Sequence, residues 1–369
     1  VKVVVALDSF KGSLTAVQAC EIVAEAVHAT APEVEVVAKP MADGGEGTGA
    51  VLMAAAGGQW VSRAVMGPLP EMQVEAGFVW LPDTNTALVE MATASGLPLL
   101  KPEQRDPLKT TTYGTGQLIR AAVDYGANHI LLAIGGSATV DGGVGAAMAL
   151  GWLFLTKDGQ QIGFGGGQLS QIAKIVAPVR GVSRSTGVPP MTIRGIHGQD
   201  ARGTHGRDAH ATGTPDSVTT NVAVEVLCDV DNPLCGARGA ARVYGPQKGA
   251  TPEMVEQLDM ALAHLARLVK DQLGRDIEHL PGAGAAGGLA AGAVAFMNAR
   301  LVSGIEAVTS QTHLREAIAG ADWVITGEGC FDEQSLQGKV VSGVARLARE
   351  AGAKVAVLAG QVRLAPEKY

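Results

Sequence analysis

Five short stretches of this chain join Gly to acids, hydroxyls and Lys where an apolar run ends. DSFKGS carries Asp8, Ser9, Lys11 and Ser13, and MADGGEGTG carries Asp43 and Glu46. GGSATVDGGVG holds Gly135, Gly136, Ser137, Thr139 and Asp141. CDVDNPLCG holds Asp229, Asp231 and Asn232, and TGEGCFDEQSLQGK holds Gly327, Glu328, Asp332, Ser335 and Lys339. Each alone is accounted for as a turn, because Asp and Ser cap helices and Gly supplies positive φ. Together they point to one shared site, since capping does not call for Gly-Gly pairs beside Asp so repeatedly. Gly-rich turns ahead of helices expose N–H groups that cradle phosphate. Several carboxylates in such a place suit Mg²⁺, which is held by one or two acids together with phosphates. Lys11 and Lys248 supply positive charge for a phosphate or an acidic substrate. An unpaired Asp beside a substrate hydroxyl accepts or orients its proton. The chemistry these parts describe is phosphoryl transfer.

Two further motifs bear on the same site. KTTTYGTG, residues 109–116, stacks Thr110, Thr111, Thr112 and Thr115 before a helix starting near Gln117. It is an over-capped helix start, or a set of N–H and O–H donors for a carboxylate or phosphate. GAGAAG, residues 282–287, matches GxGxxG, but the preceding DIEHLP is no buried strand, so a dinucleotide fold is poorly supported. Its expected role is a Gly-rich turn, around Gly284, opening an Ala-rich helix over 285–296. The phosphate loop GxxxxGK[ST] and the protein-kinase signatures are absent from the sequence.

These residues need strands and helices to aim them. Apolar runs at 2–6, 34–38, 87–91, 129–134, 223–228, 322–326 and 354–359 read as strands, most of them apolar on both faces as in a parallel sheet covered by helices. A helix from Thr15 or Ser13 to about Ala29 keeps Val17, Cys20, Val23 and Val27 on one face. Residues 253–273 and 338–351 give two more helices. In open parallel α/β sheets ligands bind beyond the carboxyl ends of strands, which is where all five polar clusters lie.

The chain has 369 residues, enough for two domains. Hydrophobic residues make up 47% but aromatics only 4%, with 49 Gly, so the core must come from Ala, Val, Leu and Ile with closely packed backbones. A net charge of −7 without a basic run argues against nucleic acid as a partner. No apolar stretch reaches membrane-span length and no signal-peptide pattern opens the chain, so the reading is a cytoplasmic protein without a membrane partner. Four cysteines without CxxC spacing read as reduced thiols. Residues 177–221 lose apolar periodicity and read as a flexible insertion; the spacing of His197, His205 and His210 there fits no common metal pattern. A homo-oligomer is compatible with the sequence, which does not set the number of copies.

The stretches ALDSFKGSLTA, KPMADGGEGT, RDPLKTTTYGTGQLI, IGGSATVDGGVGAAMALG, CDVDNPLCGARGAARVYGPQKGA, PGAGAAGGLAAG and TGEGCFDEQSLQGKV, in this order, resemble the glycerate kinase type 1 family. They cover nearly the whole chain outside 177–221. The resemblance implies ATP-dependent phosphorylation of glycerate to 2-phosphoglycerate or 3-phosphoglycerate. It also implies two unlike α/β domains with the active site in the cleft between them. One would be a Rossmann-like parallel sheet formed by both chain ends, expected over 1–70 plus 290–369, and the other would span 71–289. On this reading Asp8, Lys11, Asp43 and Asp229 are the catalytic candidates, with Asp43 or Asp229 as base. Ser9, Arg105, Thr111 and Thr112 are candidates for substrate. Gly135, Gly136, Ser137, Asp141, Lys248, Gly284, Gly327, Glu328 and Asp332 are candidates for nucleotide and Mg²⁺. The family continues beyond the position of Tyr369, which leaves a catalytically impaired relative that binds nucleotide or a small acid as the alternative. A dehydrogenase of the same hydroxy acid has GAGAAG as its only support.

Overall fold

In the computed structural model, β1 (Lys2–Leu7) shows why its residues are apolar on both faces. Val3, Val5 and Leu7 pack against Ala19 and Cys20 of the helix Ala16–Thr30. Val4 and Ala6, on the opposite face, join a second apolar cluster. A strand covered on both sides reads as a continuous apolar run. The structure describes residues 1–45, 47–178, 222–336 and 339–364. Most of the expected insertion, with its three histidines, lies outside them.

Twelve strands occur among the described residues, and β1 belongs to the smaller of two main sheets. The others are β2 (Glu35–Ala38), β3 (Gln59–Met66), β4 (Gln73–Leu81), β5 (Thr86–Glu90), β6 (His129–Ala133), β7 (Leu153–Leu155), β8 (Lys174–Val176), β9 (Ala223–Leu227), β10 (Arg300–Val302), β11 (Trp323–Phe331) and β12 (Lys354–Val362). The four-stranded sheet runs β12-β11-β1-β2, is parallel throughout, and is built from both ends of the described chain. The six-stranded sheet runs β10-β9-β6-β5-β4-β3. It is parallel from β10 to β5 and antiparallel from β5 to β3. β7 and β8 form a small antiparallel ribbon.

All seven expected strands are present. β3 and β4 were not expected: β3, at the sheet edge, mixes polar and apolar residues as QWVSRAVM, and β4, inside the sheet, opens with exposed Gln73 and Glu75. Their pairing bears on the expected boundaries: β3 lies within 1–70 and β10 within 290–369, yet both belong to the six-stranded sheet. Strand pairing keeps each sheet whole if the division falls before β3 and after β10.

The two sheets share one helical layer. Val51 and Leu52 of the helix Thr48–Ala56, Ile305 and Val308 of Gly304–Gln311, and Val344 and Leu347 of Val340–Glu350 form a single apolar cluster. That cluster takes in Val4 and Ala6 from β1 and Leu88, Leu131 and Leu227 from β5, β6 and β9. The other face of the larger sheet, with Val89, Ile130, Leu132 and Val226, packs on the main core around Phe78, Phe154, Phe296, Leu258, Leu262 and Leu265. The last three lie on the long helix Pro252–Leu273, at the spacing the sequence showed. No helix among the described residues is long and apolar enough to cross a membrane.

Candidate active site

Strand register brings the acids of the smaller sheet together. Leu7 pairs with Gly327, and the Asp8 N–H donates to the Gly327 carbonyl at 2.9 Å, so Asp8 follows β1 alongside Glu328 of β11. On the other side the chain after β2 continues beside β1, with the Met41 N–H bonded to the Leu7 carbonyl at 2.9 Å. Asp43 follows two residues later. Asp8 is pushed up to about 6, mainly by burial and further by the charges of Asp43 and Glu328; the Ser9 N–H and Lys11 oppose the rise. Burial also raises Glu328, with Ser335 and Lys339 opposing it and Asp332 and Asp43 adding to it. Glu328 Oε1 is buried and has no hydrogen-bond partner.

The larger sheet supplies its own acid to the same place. Asp229 follows β9, and its Oδ1 accepts the Gly304 N–H at 3.1 Å at the start of the helix Gly304–Gln311. Gly304 also lies under the Asp43 carbonyl, so closely that a Cβ there would collide with it. One helix start therefore seats an acid from each sheet. Burial raises Asp229; the Gly304 N–H and the Ser303 hydroxyl oppose this, Asp43 adds to it, and Lys339 opposes it.

Of these acids, Asp43 and Asp229 open onto a cleft of about 1090 Å³. Asp43, Gly44 and Gly45 come from the end of β2, Gly135, Gly136 and Ser137 from the end of β6, and Asp229, Asp231 and Asn232 from the end of β9. Lys339, at the start of the helix Val340–Glu350, and Lys248 complete the charged lining. The positions agree with the rule that parallel α/β sheets bind ligands beyond their strand ends. Asp8, Ser9 and Lys11 line a separate cavity of about 380 Å³ that extends to Met41 and Ala42 and to the capped start of the helix Ala16–Thr30.

Several expected ligand residues do not reach the cleft. Thr111, Thr112 and Asp141 are buried and bonded to one another. Asp141 Oδ2 accepts the Thr112 N–H at 2.7 Å, the Thr112 hydroxyl at 2.9 Å, the Gly145 N–H at 3.3 Å and the Thr111 hydroxyl at 3.4 Å; Oδ1 accepts the Gly143 N–H at 3.1 Å. The carboxylate holds the start of the helix Tyr113–Tyr125 against the Gly-rich turn. Its bonds are satisfied inside the protein, although burial still raises it. Arg105 is absent from the cleft lining; its carbonyl packs under Gly249, and its Nε is buried without a partner.

Gly284 and Gly327 serve backbone packing. A Cβ on Gly284 would strike the Pro233 carbonyl, and one on Gly327 the Leu358 carbonyl of β12. GAGAAG follows no strand and opens a helix that is kinked at Ala286, Gly287 and Gly288, all at positive φ, so the dinucleotide reading has no structural basis. Asp332 is placed near Glu328 by its charge effect and turns through Ser335, whose hydroxyl accepts the Asp332 N–H at 2.9 Å.

Sequence reasoning left Lys339, Tyr244 and Gln247 out of the chosen site residues, and all three line the cleft. Lys339 stood within a quoted cluster. Tyr244, whose hydroxyl donates to Asn232 Oδ1 at 2.6 Å, had no signal beyond proximity to Lys248 in the sequence.

A family model described as the glycerate kinase family matches residues 3–185 and 205–369. The chain is 42% identical to a glycerate kinase of Halalkalibacterium halodurans over 98% of its length and 85% of the relative's. It is 41% identical to the glycerate 2-kinase of Escherichia coli K12, with 98% and 85% covered. A solved structure assigned as glycerate kinase 2 from Salmonella typhimurium LT2 superposes with a TM-score of 0.83 at 41% identity, covering 98% of this chain and 87% of that one. Similarity of this extent, together with acids from both sheets meeting in one cleft, establishes that the chain belongs to the glycerate kinase family.

Proposed function

We propose that this protein is an ATP-dependent glycerate kinase, transferring the γ-phosphoryl group of ATP to a hydroxyl of D-glycerate. The observation that carries the reading is the convergence of Asp43 and Asp229, one from each sheet, on the start of the helix Gly304–Gln311 at the cleft. In the reaction the glycerate oxygen bonds to the γ-phosphorus, the bond from that phosphorus to the bridging oxygen of ADP breaks, and the hydroxyl proton passes to a carboxylate. Asp229 takes that proton, because its Oδ1 is held by Gly304 and its environment favours the protonated form. Asp43 orients the hydroxyl from the opposite sheet. Lys339, beside both acids, neutralises charge on the moving phosphoryl group.

The carboxylates also fit a divalent cation. Glu328 Oε1 is buried without a partner, and its neighbours Asp8, Asp43 and Asp332 crowd negative charge around it. Glu328 and Asp43 would hold Mg²⁺, which supplies neutralisation of the triphosphate when bound. Among the described residues no group of three His, Cys, Asp or Glu could hold a metal ion by itself, so phosphate oxygens would have to complete its shell. The domain division that follows is a four-stranded unit of the chain ends, up to β2 and its helix and from Gly304 onward, and a six-stranded unit from β3 to β10. A cytoplasmic setting, where ATP is at hand, belongs to the same reading.

The test is ADP release from Mg-ATP on adding D-glycerate, with Asp43→Ala as control and phosphorus NMR of the product. Turnover that the control loses, with 2-phosphoglycerate formed, is the expected result; 3-phosphoglycerate would move the acceptor to the terminal hydroxyl. A folded sample that binds ATP without turnover would refute the kinase reading in favour of an impaired relative.

A further inference from the structure

The cleft contains a cation that the steps above leave without a task. Lys248 is only 1% exposed, yet it lines the cavity. Its Nζ donates to the Ser137 hydroxyl at 2.7 Å and to the Thr139 carbonyl at 2.7 Å. It forms no ion pair among the described residues, and the one charge that acts on it is that of Asp141, whose oxygens are already taken by Thr112, Gly143 and Gly145. A Met of similar length would fill this space without any charge to desolvate. A buried ammonium facing a cleft without a counter-ion is accounted for when the counter-ion arrives with the ligand.

A neutral amine has two N–H bonds, and Ser137 and Thr139 accept both. Only the ammonium form has a third to offer. Ser137 also lines the cleft, and while its oxygen accepts from Lys248 its own hydrogen remains available to a ligand.

We propose that Lys248 and Ser137 form an anion-binding corner of this cleft, which receives an anionic oxygen from a carboxylate or a phosphoryl group and takes it as the missing counter-ion of the buried ammonium. The kinase reading enters only in naming the two sources, the carboxylate of glycerate and the phosphates of ATP. Burial pushes Lys248 down to about 7, against the pull of Asp141. Anion binding above that pH therefore brings a proton with it. The other titratable and charged groups around the site are Tyr244 from the preceding helix, Arg105 from the segment packed under Gly249, and Asp43, Cys228, Asp229, Asp231 and Lys339 on the cleft lining.

The experiment is calorimetric titration of the whole wild-type chain at pH 8, in two buffers of different ionisation enthalpy. The probes are D-glycerate, a non-hydrolysable Mg-ATP analogue and inorganic phosphate. The expected result is uptake of about one proton with one natural ligand, whose affinity falls by up to about tenfold per pH unit above neutrality. Uptake with glycerate assigns the corner to the carboxylate, and uptake with the nucleotide assigns it to phosphate. Lys248→Met should abolish the uptake and weaken that ligand more than tenfold, while Lys248→Arg should retain binding without uptake. Binding of every probe with no buffer dependence would overturn the proposal, and so would uptake that survives in Lys248→Met. Failure of all three anions to bind would do the same. The wild-type titration stands even if a variant does not fold. Binding with uptake but no ADP formation would refute the kinase reading and leave the anion corner supported.

Discussion

Replacing Asp141 by Ala separates a structural carboxylate from a ligand-binding one. In the fold this carboxylate is the acceptor for the N–H groups of Thr112, Gly143 and Gly145, at 2.7, 3.1 and 3.3 Å, besides two Thr hydroxyls. All lie in the interior, and Asp141 is 1% exposed, so water does not replace it. Each buried N–H left without an acceptor costs about 1–2 kcal/mol, so three cost about 3–6 kcal/mol, less what the removal of a buried charge returns. At about 2 °C per kcal/mol for a cooperative unit of this size, the melting temperature should fall by roughly 6–12 °C. Asp141→Asn, which keeps one oxygen, should lose less. The assay is thermal melting followed by circular dichroism, paired with the KM for ATP measured well below the melting range. A variant that melts within about 2 °C of wild type but has lost ATP affinity would refute the structural assignment and restore the ligand role suggested by the sequence.

Three further outcomes follow from the geometry. Asp8 sits at about 6 against an ordinary 3.8, so its contribution to stability is full below 3.8 and is lost as pH rises through 6; Asp8→Asn should stabilise the fold by up to about 3 kcal/mol at pH 7.5 and leave it unchanged near pH 3.5, as read by urea denaturation at the two pH values. A rise of equal size at both would show that ionisation of the buried Asp8 is not the cause. Gly304→Ala places a methyl against the Asp43 carbonyl, and it should cut kcat on the order of 10²-fold by parting Asp43 from Asp229; unchanged kcat in a folded variant would remove Gly304 as the seat of the two acids. Lys339→Met should lower kcat on the order of 10²-fold with a smaller change in KM for glycerate, whereas a pure KM effect would make it a ground-state contact.

Much of this molecule was legible from residue order. The apolar runs that became β1 and β6 announced buried parallel strands because both of their faces are covered, and β9 did so despite Glu225 at its centre. Leu258, Leu262 and Leu265 announced their helix by spacing alone. The acids after β1, β2 and β9 announced a site because they stand at strand ends, where a parallel sheet exposes them. β3 and β4 were less legible although they pair as near neighbours in the chain, because the polar residues of β3 and of the first part of β4 are shared with many surface segments.

What the sequence by itself determined is therefore most of the parallel strands, the main helices and the chemistry available at their ends. It could not tell a carboxylate that serves the ligand from one that serves the fold, because Asp43, Asp141 and Asp229 all stand near Gly in the same kind of stretch. Only the tertiary structure decided that Asp141 turns inward to Thr112, that Asp43 and Asp229 meet above Gly304, and that Lys248 is buried between Ser137 and Thr139. The physical reason is that local sequence sets backbone conformation within a turn, whereas the partner of a side chain is set by register and packing between segments such as 110–145 or 43–304, whose separation in the chain carries no trace of their contact.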